Sequence, residues 1–190
     1  MSQLATVGPR IEVGTVERLR KRELAELCEA ASAAINDGAG FGWVRPPQPA
    51  SFERYWRGVT VVPERLLFIG RMDGVVAGSV QLVSAPPQKE AWRLSCLIDT
   101  HFVAPWARGH GLARRLLEAA EEEARARGYK VVNLSVRETQ EAAIALYESL
   151  GFERWGTHPK YAFVDGQSIA GHYYCKDLTD LTDRPPDPAP

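Results

Sequence analysis

Apolar positions along the chain change period several times, and each change marks an element. Ile11, Val13 and Val16 are spaced as in a first strand. Leu24, Leu27, Cys28, Ala31 and Ile35 then recur at helical spacing, and Asp37-Gly38 closes that helix. Ser51 is placed to cap a short helix through Phe52, Tyr55 and Trp56, which Val62-Pro63 ends. Residues 66–69 read as a strand, Asp73-Gly74 as a hairpin turn, and residues 75–83 as the returning strand. After the loop Ala85-Pro86-Pro87, residues 92–103 read as a further strand. Leu112, Leu116, Leu117, Ala120 and Ala124 form the buried stripe of a helix that ends at Arg125, Arg127 and Gly128. Glu118, Glu121, Glu122 and Glu123 fall off that stripe and read as a solvated face. Residues 131–136 predict a strand. Thr139 opens a helix whose apolar face is Ala143, Leu146, Tyr147 and Leu150, closed by Gly151. Residues 161–164 and 169–176 predict two last strands around the Asp165-Gly166 turn. This order of strands and helices predicts a mixed α/β sheet.

A chain of 190 residues suits one domain with a single core. We expect it to span residues 10–178, behind a loose lead-in over residues 1–9. The tail over residues 179–190 is proline-rich and is expected to be disordered. A net charge of -1 gives no general basic field, so nucleic acid is not an expected partner. Cys28, Cys96 and Cys175 are odd in number and widely spaced, as expected of free thiols in a reducing cytoplasm, and they make no metal or redox motif. Neither a signal-peptide apolar region nor an 18-residue apolar run occurs, so no membrane association is expected.

The most informative stretch is Val103-Ala104-Pro105-Trp106-Ala107-Arg108-Gly109-His110-Gly111-Leu112-Ala113. A strand pattern enters it and a helix pattern leaves it. Glycine permits a tight turn and close backbone approach, and the first N–H groups of a helix can point at an anion. Arg114 and Arg115 stand at the helix start, the end where the macrodipole disfavours cations. A bound anionic group would account for them; a plain surface helix behind a glycine-rich loop is the other reading. A nucleotide P-loop is excluded, because no Gly-x-x-x-x-Gly-Lys-Ser/Thr run is present. A dinucleotide fingerprint lacks its third glycine, since Arg114 fills that slot.

The stretch resembles the acyl-CoA motif of the GNAT N-acetyltransferase superfamily, Val-x-Pro-x-x-Arg-Gly-x-Gly-(Leu/Ile)-(Gly/Ala). Val103, Pro105, Arg108, Gly109, Gly111, Leu112 and Ala113 match it. A second block, Leu134-Ser135-Val136 and then Ala142 to Phe152, is similar to that superfamily's fifth strand and following helix. The resemblance covers about residues 66–177. It implies a single-domain mixed, mostly antiparallel sheet with helices on both faces and a splayed central strand pair. It implies acetyl-CoA as cosubstrate, with no metal. Phe102, Val103, Arg108, Gly109, His110, Gly111, Leu112, Ala113 and Arg114 would hold the coenzyme, with Gln140 and Ala143 beside the pantetheine. Many members carry asparagine where this chain has Gln140. Tyr147 matches the tyrosine that protonates the leaving thiolate. A more distant likeness, to tabtoxin-resistance-type acetyltransferases, rests on the loop from Phe41 to Pro47 and on His158-Pro159-Lys160-Tyr161.

Acyl transfer to an amine needs a neutral amine, a polarised carbonyl and a protonated leaving thiolate. Tyrosine suits the last of these, although Tyr147 also shares a face with Ala143 and Leu150 as a core residue would. The strand before the glycine loop holds no glutamate, so Asp99 and His101 are the titratable candidates for the base. In a regular strand they share one face with Val103. Phe41, Trp43 and Tyr161 are candidates for a substrate wall, with Trp43 alternatively pinning a plain connector. The expected activity is acetyl transfer to a primary amine of a small molecule. A protein acetyltransferase acting on a lysine or chain terminus, and a non-catalytic acyl-CoA-binding module, are the alternatives, and a homodimer is left open.

Overall fold

The computed structural model describes residues 8–39 and 41–179. The expectations for the first seven residues, for Gly40 and for the tail from Asp180 therefore lie outside the described residues. The strands are β1 (Ile11–Thr15), β2 (Arg65–Met72), β3 (Val75–Ser84), β4 (Ser95–Val103), β5 (Val131–Arg137), β6 (Glu153–Val164) and β7 (Gln167–Asp177). The helices are α1 (Lys21–Asn36), α2 (Pro49–Val59), α3 (Leu112–Ala126) and α4 (Glu141–Ser149). The seven strands are hydrogen-bonded in the order β1-β2-β3-β4-β5-β7-β6. β1 runs antiparallel to β2, and β7 antiparallel to both β5 and β6. β4 and β5 pair in parallel over Ser95–Leu97 against Val131–Asn133, and their register ends there.

The boundaries of several elements differ from the sequence pattern, among them α4, which begins at Glu141 behind Gln140 rather than at Thr139, and β2, which runs on to Met72. α2 begins at Pro49 rather than behind Ser51. A proline at the first helical position loses an N–H that would have had no intrahelical acceptor anyway. Ser51 Oγ instead accepts a bond from Arg54 Nη2 at 3.1 Å. β4 begins at Ser95, because Glu90–Trp92 forms a single 3-10 turn with Lys89 Nζ 4.2 Å from the Trp92 ring centroid. β6 begins at Glu153 rather than at residue 161. Its first residues are exposed and show no apolar alternation; pairing with β7, from Glu153 opposite Cys175, makes them a strand.

By its contacts the chain divides into two compact units, residues 1–81 with 100–119, and residues 82–99 with 120–190. The first is built on a core of Leu24, Leu27 and Ala31 from α1, Phe52 and Trp56 from α2, Leu67 and Ile69 from β2, and Val76 and Phe102. The β2–β3 turn has both central residues left-handed, Asp73 at φ 51° and Gly74 at φ 81°, which matches the twist of a two-residue hairpin. In the second unit β5, β7 and β6 form an antiparallel group backed by the fully buried Tyr174, whose hydroxyl donates to Glu148 Oε1 at 2.8 Å.

Glu121 departs from the expected solvated face and is buried. It follows Leu117 by four residues and precedes Ala124 by three, so it borders the apolar stripe of α3. Lys176 Nζ donates to its Oε2 at 2.5 Å, and Arg125 approaches the same oxygen at 3.5 Å. Removing one partner of such a pair strands the other charge out of water. Glu121→Ala should therefore lower stability by about 3 kcal/mol, while Glu121→Leu combined with Lys176→Met should recover most of that loss. Urea unfolding of the three proteins checks this; equal losses in the single and double variants would show that the pair is not the cause.

Candidate functional site

In the first unit β4 ends at Val103, and a 3-10 turn over Pro105–Ala107 leads to Arg108 and then to α3 at Leu112. Buried Val103, Ala104, Ala107 and Leu112 anchor this turn, and Ala104 N–H donates to the Ala77 carbonyl at 2.8 Å. Arg108, Gly109, His110, Gly111 and Arg114 are exposed between and beyond those anchors, and Ala113 is partly buried. Gly109 has φ 81° and Gly111 φ 79°, and a Cβ at either would meet no atom within 4 Å. Backbone conformation rather than crowding therefore calls for glycine, and space is open on that side of the loop. The N–H of Arg115 donates to the Gly111 carbonyl at 3.1 Å, while the first N–H groups of a helix have no intrahelical acceptor. A pyrophosphate suits that combination of open space, donors and helix dipole.

The arginines at the helix start all have partners within the chain. Arg108 Nη1 lies 2.5 Å from Asp37 Oδ2, Arg114 Nη1 lies 3.7 Å from Glu118 Oε1, and Arg115 Nη1 donates to the Ile11 carbonyl at 3.2 Å. The Arg108–Asp37 and Arg114–Glu118 pairs are solvent-exposed and so weak, which lets either arginine exchange its partner for a bound anion at little cost.

Within β4, Thr100 adopts φ 48°. A β-branched residue in the left-handed region is strained, at a cost on the order of 1–3 kcal/mol. The burial alternation nevertheless continues through the kink, with Thr100 and Phe102 buried and Asp99 and His101 partly buried. Thr100 Oγ1 meets the Tyr55 hydroxyl of α2 at 3.4 Å, while His101 Nε2 meets the Ala113 carbonyl of α3 at 3.0 Å. Phe102 stacks on Phe41 with centroids 4.8 Å apart. Burial pulls the His101 pKa down to about 4, outweighing the carbonyl bond that favours the charged ring. The ring is therefore neutral at neutral pH, with its Nε2 proton donated to Ala113. Asp99 is partly buried. Trp43 packs edge-on to Tyr55 at 4.7 Å and to Phe52 at 5.2 Å. Phe41 and Trp43 thus pin the glycine-rich connector to the core, and both keep part of their surface exposed.

The second unit carries the other candidates. Tyr147 is buried, with its ring centroid 6.0 Å from that of Phe152 and 6.4 Å from that of Tyr174. Burial, and secondarily the neighbouring Tyr161, push its hydroxyl well above the ordinary tyrosine range, so it stays protonated. Gln140 is the residue before α4, and its carbonyl accepts from the N–H groups of Ala143 and Ile144, each at 3.0 Å. Tyr161 shares a hydrogen bond of 2.8 Å with Ser135 Oγ. Its ring lies across β7 where Gly171 has no side chain: a Cβ there would stand 2.2 Å from Tyr161 Cγ. Sequence reasoning missed Tyr55, Thr100, Ser135 and Gly171 as parts of these arrangements. Only Gly171 carries a signal, a glycine inside a strand pattern. Burial raises the thiols of Cys28 and Cys96 to about 11 and about 12, so neither is a thiolate at neutral pH. Among the described residues no group of His, Cys, Asp or Glu is gathered to hold a metal, and no helix is long and apolar enough to cross a membrane.

The model of the acetyltransferase (GNAT) family matches residues 26–152. An uncharacterised N-acetyltransferase of Azospirillum brasilense is 56% identical over 130 residues, which is 68% of this chain and 77% of that protein. The N-alpha-acetyltransferase RimI of Mycobacterium tuberculosis is 42% identical over 159 residues, 82% of this chain and 87% of that protein. The crystal structure of an N-acetyltransferase from Staphylococcus aureus Mu50 superposes with a TM-score of 0.76, covering 90% of this chain and 99% of that one at 22% identity.

The lowered pKa of His101 has a signed consequence for stability. The unfolded ring titrates near 6.5 and the folded one near 4, so between those values the unfolded state binds more protons. The contribution of the neutral ring is full above pH about 6.5 and is lost as pH falls towards about 4. His101→Gln keeps a donor for the Ala113 carbonyl without the titration. Urea unfolding at pH 7 and pH 5 should show a smaller acid loss in His101→Gln than in the wild type; equal losses would mean the ring titrates normally.

Proposed function

The chain belongs to the GNAT acetyltransferase family, and on that premise we propose that it moves the acetyl group of acetyl-CoA to a primary amine of a small molecule by direct attack. The observation that carries this reading is the pair of left-handed glycines, Gly109 and Gly111, with open space beside them at the start of α3. The backbone of residues 108–114 seats the pyrophosphate. Phe102, Val103, Gln140 and Ala143 lie along the pantetheine, and Phe41, Trp43 and Tyr161 wall the acceptor. The acetyltransferase domain takes in residues 10–178.

The acceptor amine arrives protonated and must lose a proton before its lone pair attacks the thioester carbon. His101 Nε2 is already engaged with the Ala113 carbonyl, so we assign that proton to Asp99 through water. The carbonyl oxygen gains charge as the C–N bond forms, and backbone N–H groups of β4 stabilise it. The C–S bond then breaks, and Tyr147 gives its proton to the thiolate. Burial keeps that hydroxyl protonated before the step. Protonated thiols at partly buried Cys28 and buried Cys96 support direct attack over an acyl-cysteine intermediate.

A second acceptor class, the amino terminus of a polypeptide, is favoured by the similarity to RimI over 87% of that protein's length. A panel of small amines, antibiotics and short peptides, assayed with acetyl-CoA by free-thiol release, separates the two. Turnover with small amines alone supports the first reading, and turnover with peptides alone the second. Acetyl-CoA binding with no turnover across the panel would leave a binding module.

Gly111→Asp places a carboxylate and a Cβ where the pyrophosphate approaches, and in a backbone conformation that suits glycine. Calorimetric titration should show acetyl-CoA affinity reduced at least tenfold, since a phosphate contact to charged or backbone donors is worth roughly 1.5–3 kcal/mol. Unchanged affinity would move the phosphate site elsewhere.

Tyr147→Phe keeps the ring and removes the proton. Turnover should fall on the order of 10²-fold with acetyl-CoA affinity unchanged, and Asp99→Asn should cost a similar factor near neutral pH while His101→Gln does not. Affinity falling in step with turnover in Tyr147→Phe would make its hydroxyl a binding group. An unaltered pH profile in Asp99→Asn would clear that residue of the base role.

A further inference from the structure

Thr100 is an unusual residue to hold in the left-handed region. Strain of this kind persists only where the surroundings over-determine it. Those surroundings form a polar chain in the first unit with a direction built into it. Arg65 Nη1 donates to Gln81 Oε1 at 2.6 Å. A guanidinium only donates, so it fixes which end of the fully buried Gln81 amide faces it. The other end, Nε2, therefore donates to the Tyr55 hydroxyl at 3.2 Å. The Tyr55 hydroxyl in turn meets Thr100 Oγ1 at 3.4 Å, where either hydroxyl can be the donor. From β3, the fully buried Ser79 Oγ donates to the Thr100 carbonyl at 3.3 Å. Thr100 is thus gripped at its side chain from α2 and at its backbone from β3.

We propose that Tyr55 is a positioning residue, which with Gln81 and Arg65 holds Thr100 in its strained conformation and so aims the backbone N–H groups of His101 and Phe102. If Thr100 relaxed to an extended conformation, the path of the backbone through the two following residues would change. His101 would leave the Ala113 carbonyl and Phe102 would leave its stack on Phe41. The strand end that enters the glycine loop would be re-aimed with them. The chain makes no contact with the reacting atoms; it acts through the conformation of one residue. The use of those N–H groups on a thioester carbonyl rests on the acetyl-CoA reading above, while the holding of Thr100 does not.

The test uses the full chain with Tyr55→Phe, Gln81→Met, Thr100→Asn and the double variant Tyr55→Phe/Thr100→Asn. Asparagine accepts the left-handed region far more readily than threonine, so it should hold the kink without Tyr55. Amide hydrogen exchange of the free protein should speed up about tenfold or more at Ala104, whose N–H donates to the Ala77 carbonyl at the strand end, in Tyr55→Phe and in Gln81→Met, and return to the wild-type rate in the double variant. With [1-13C]acetyl-CoA bound, the carbonyl resonance should move towards its free position in the single variants and recover in the double one, with affinity for unacylated CoA constant throughout. Wild-type exchange rates in Tyr55→Phe would overturn the proposal. So would a defect that persists in the double variant, which would mean that Tyr55 acts on the substrate or through core packing. If acetyl-CoA does not bind the wild-type protein, the donor reading fails, and the exchange rates alone still decide the role of Tyr55.

Discussion

β3 lies against β4 only because residue 78 has no side chain: a Cβ there would stand 2.5 Å from the Phe102 carbonyl oxygen and 3.2 Å from Val103 Cα. That close approach brings the Ala77 carbonyl to the Ala104 N–H, Ser79 to the Thr100 carbonyl and Gln81 to the Tyr55 hydroxyl. The end of β4 is therefore tied to β3 by hydrogen bonds at the kink and beyond it. The glycine loop departs from a strand end whose direction is already set, and α3 continues from it with Leu112 and Leu116 buried. An N-terminal helix turn can present donors to an anion only if the turn is held in place, and here the holding is done upstream of the loop.

Burial and exposure divide the ionisable groups by role. His101, Tyr147, Cys28 and Cys96 are all shifted towards their uncharged forms, and in each case removal from water is the largest cause. The proposed acid thus keeps its proton and the thiols remain inert. Arg108 and Arg114, on the loop and the helix start, are exposed and lightly paired with Asp37 and Glu118. Exposed pairs of this kind are worth little, so they keep the cations oriented without competing seriously with a phosphate. Glu121 with Lys176 is the opposite arrangement, a buried pair that neither partner can leave without a large penalty.

In the second unit the placement of Tyr161 depends on two features of backbone and one side-chain hydrogen bond. β6 shifts register between His158 and Ala162, which frees this part of the strand from strict alternation. Gly171 on β7 leaves room for the ring, and Ser135 on β5 receives the hydroxyl. The same shifts sit on a strand at the end of the sheet order, whose large exposed residues, Trp155 and Phe163, would otherwise make a regular edge open to pairing.

Much of this protein was legible without coordinates. The 3.6-residue spacing in α1 and α3, the Asp73-Gly74 hairpin and the run from Val103 to Ala113 are local patterns, and periodicity or a contiguous motif suffices to read them. The family followed from that run and from the block around Tyr147. β6 was only half legible, because pairing with β7 rather than an apolar face makes its first residues a strand. The burial of Glu121 was hidden for a similar reason, since its partner Lys176 is 55 residues away. The kink at Thr100 was not legible at all. Nothing in Asp99-Thr100-His101 announces a left-handed threonine. The groups that hold it, Tyr55, Ser79 and Gln81, come from α2 and β3, and only the folded chain brings them to it. Alternation along a strand is a property of neighbouring residues, whereas the left-handed conformation of one residue within it is met by contacts distant in sequence. That is why the sequence by itself determined the glycine loop and the family, and only the tertiary structure decided what His101 meets and whether it carries a charge.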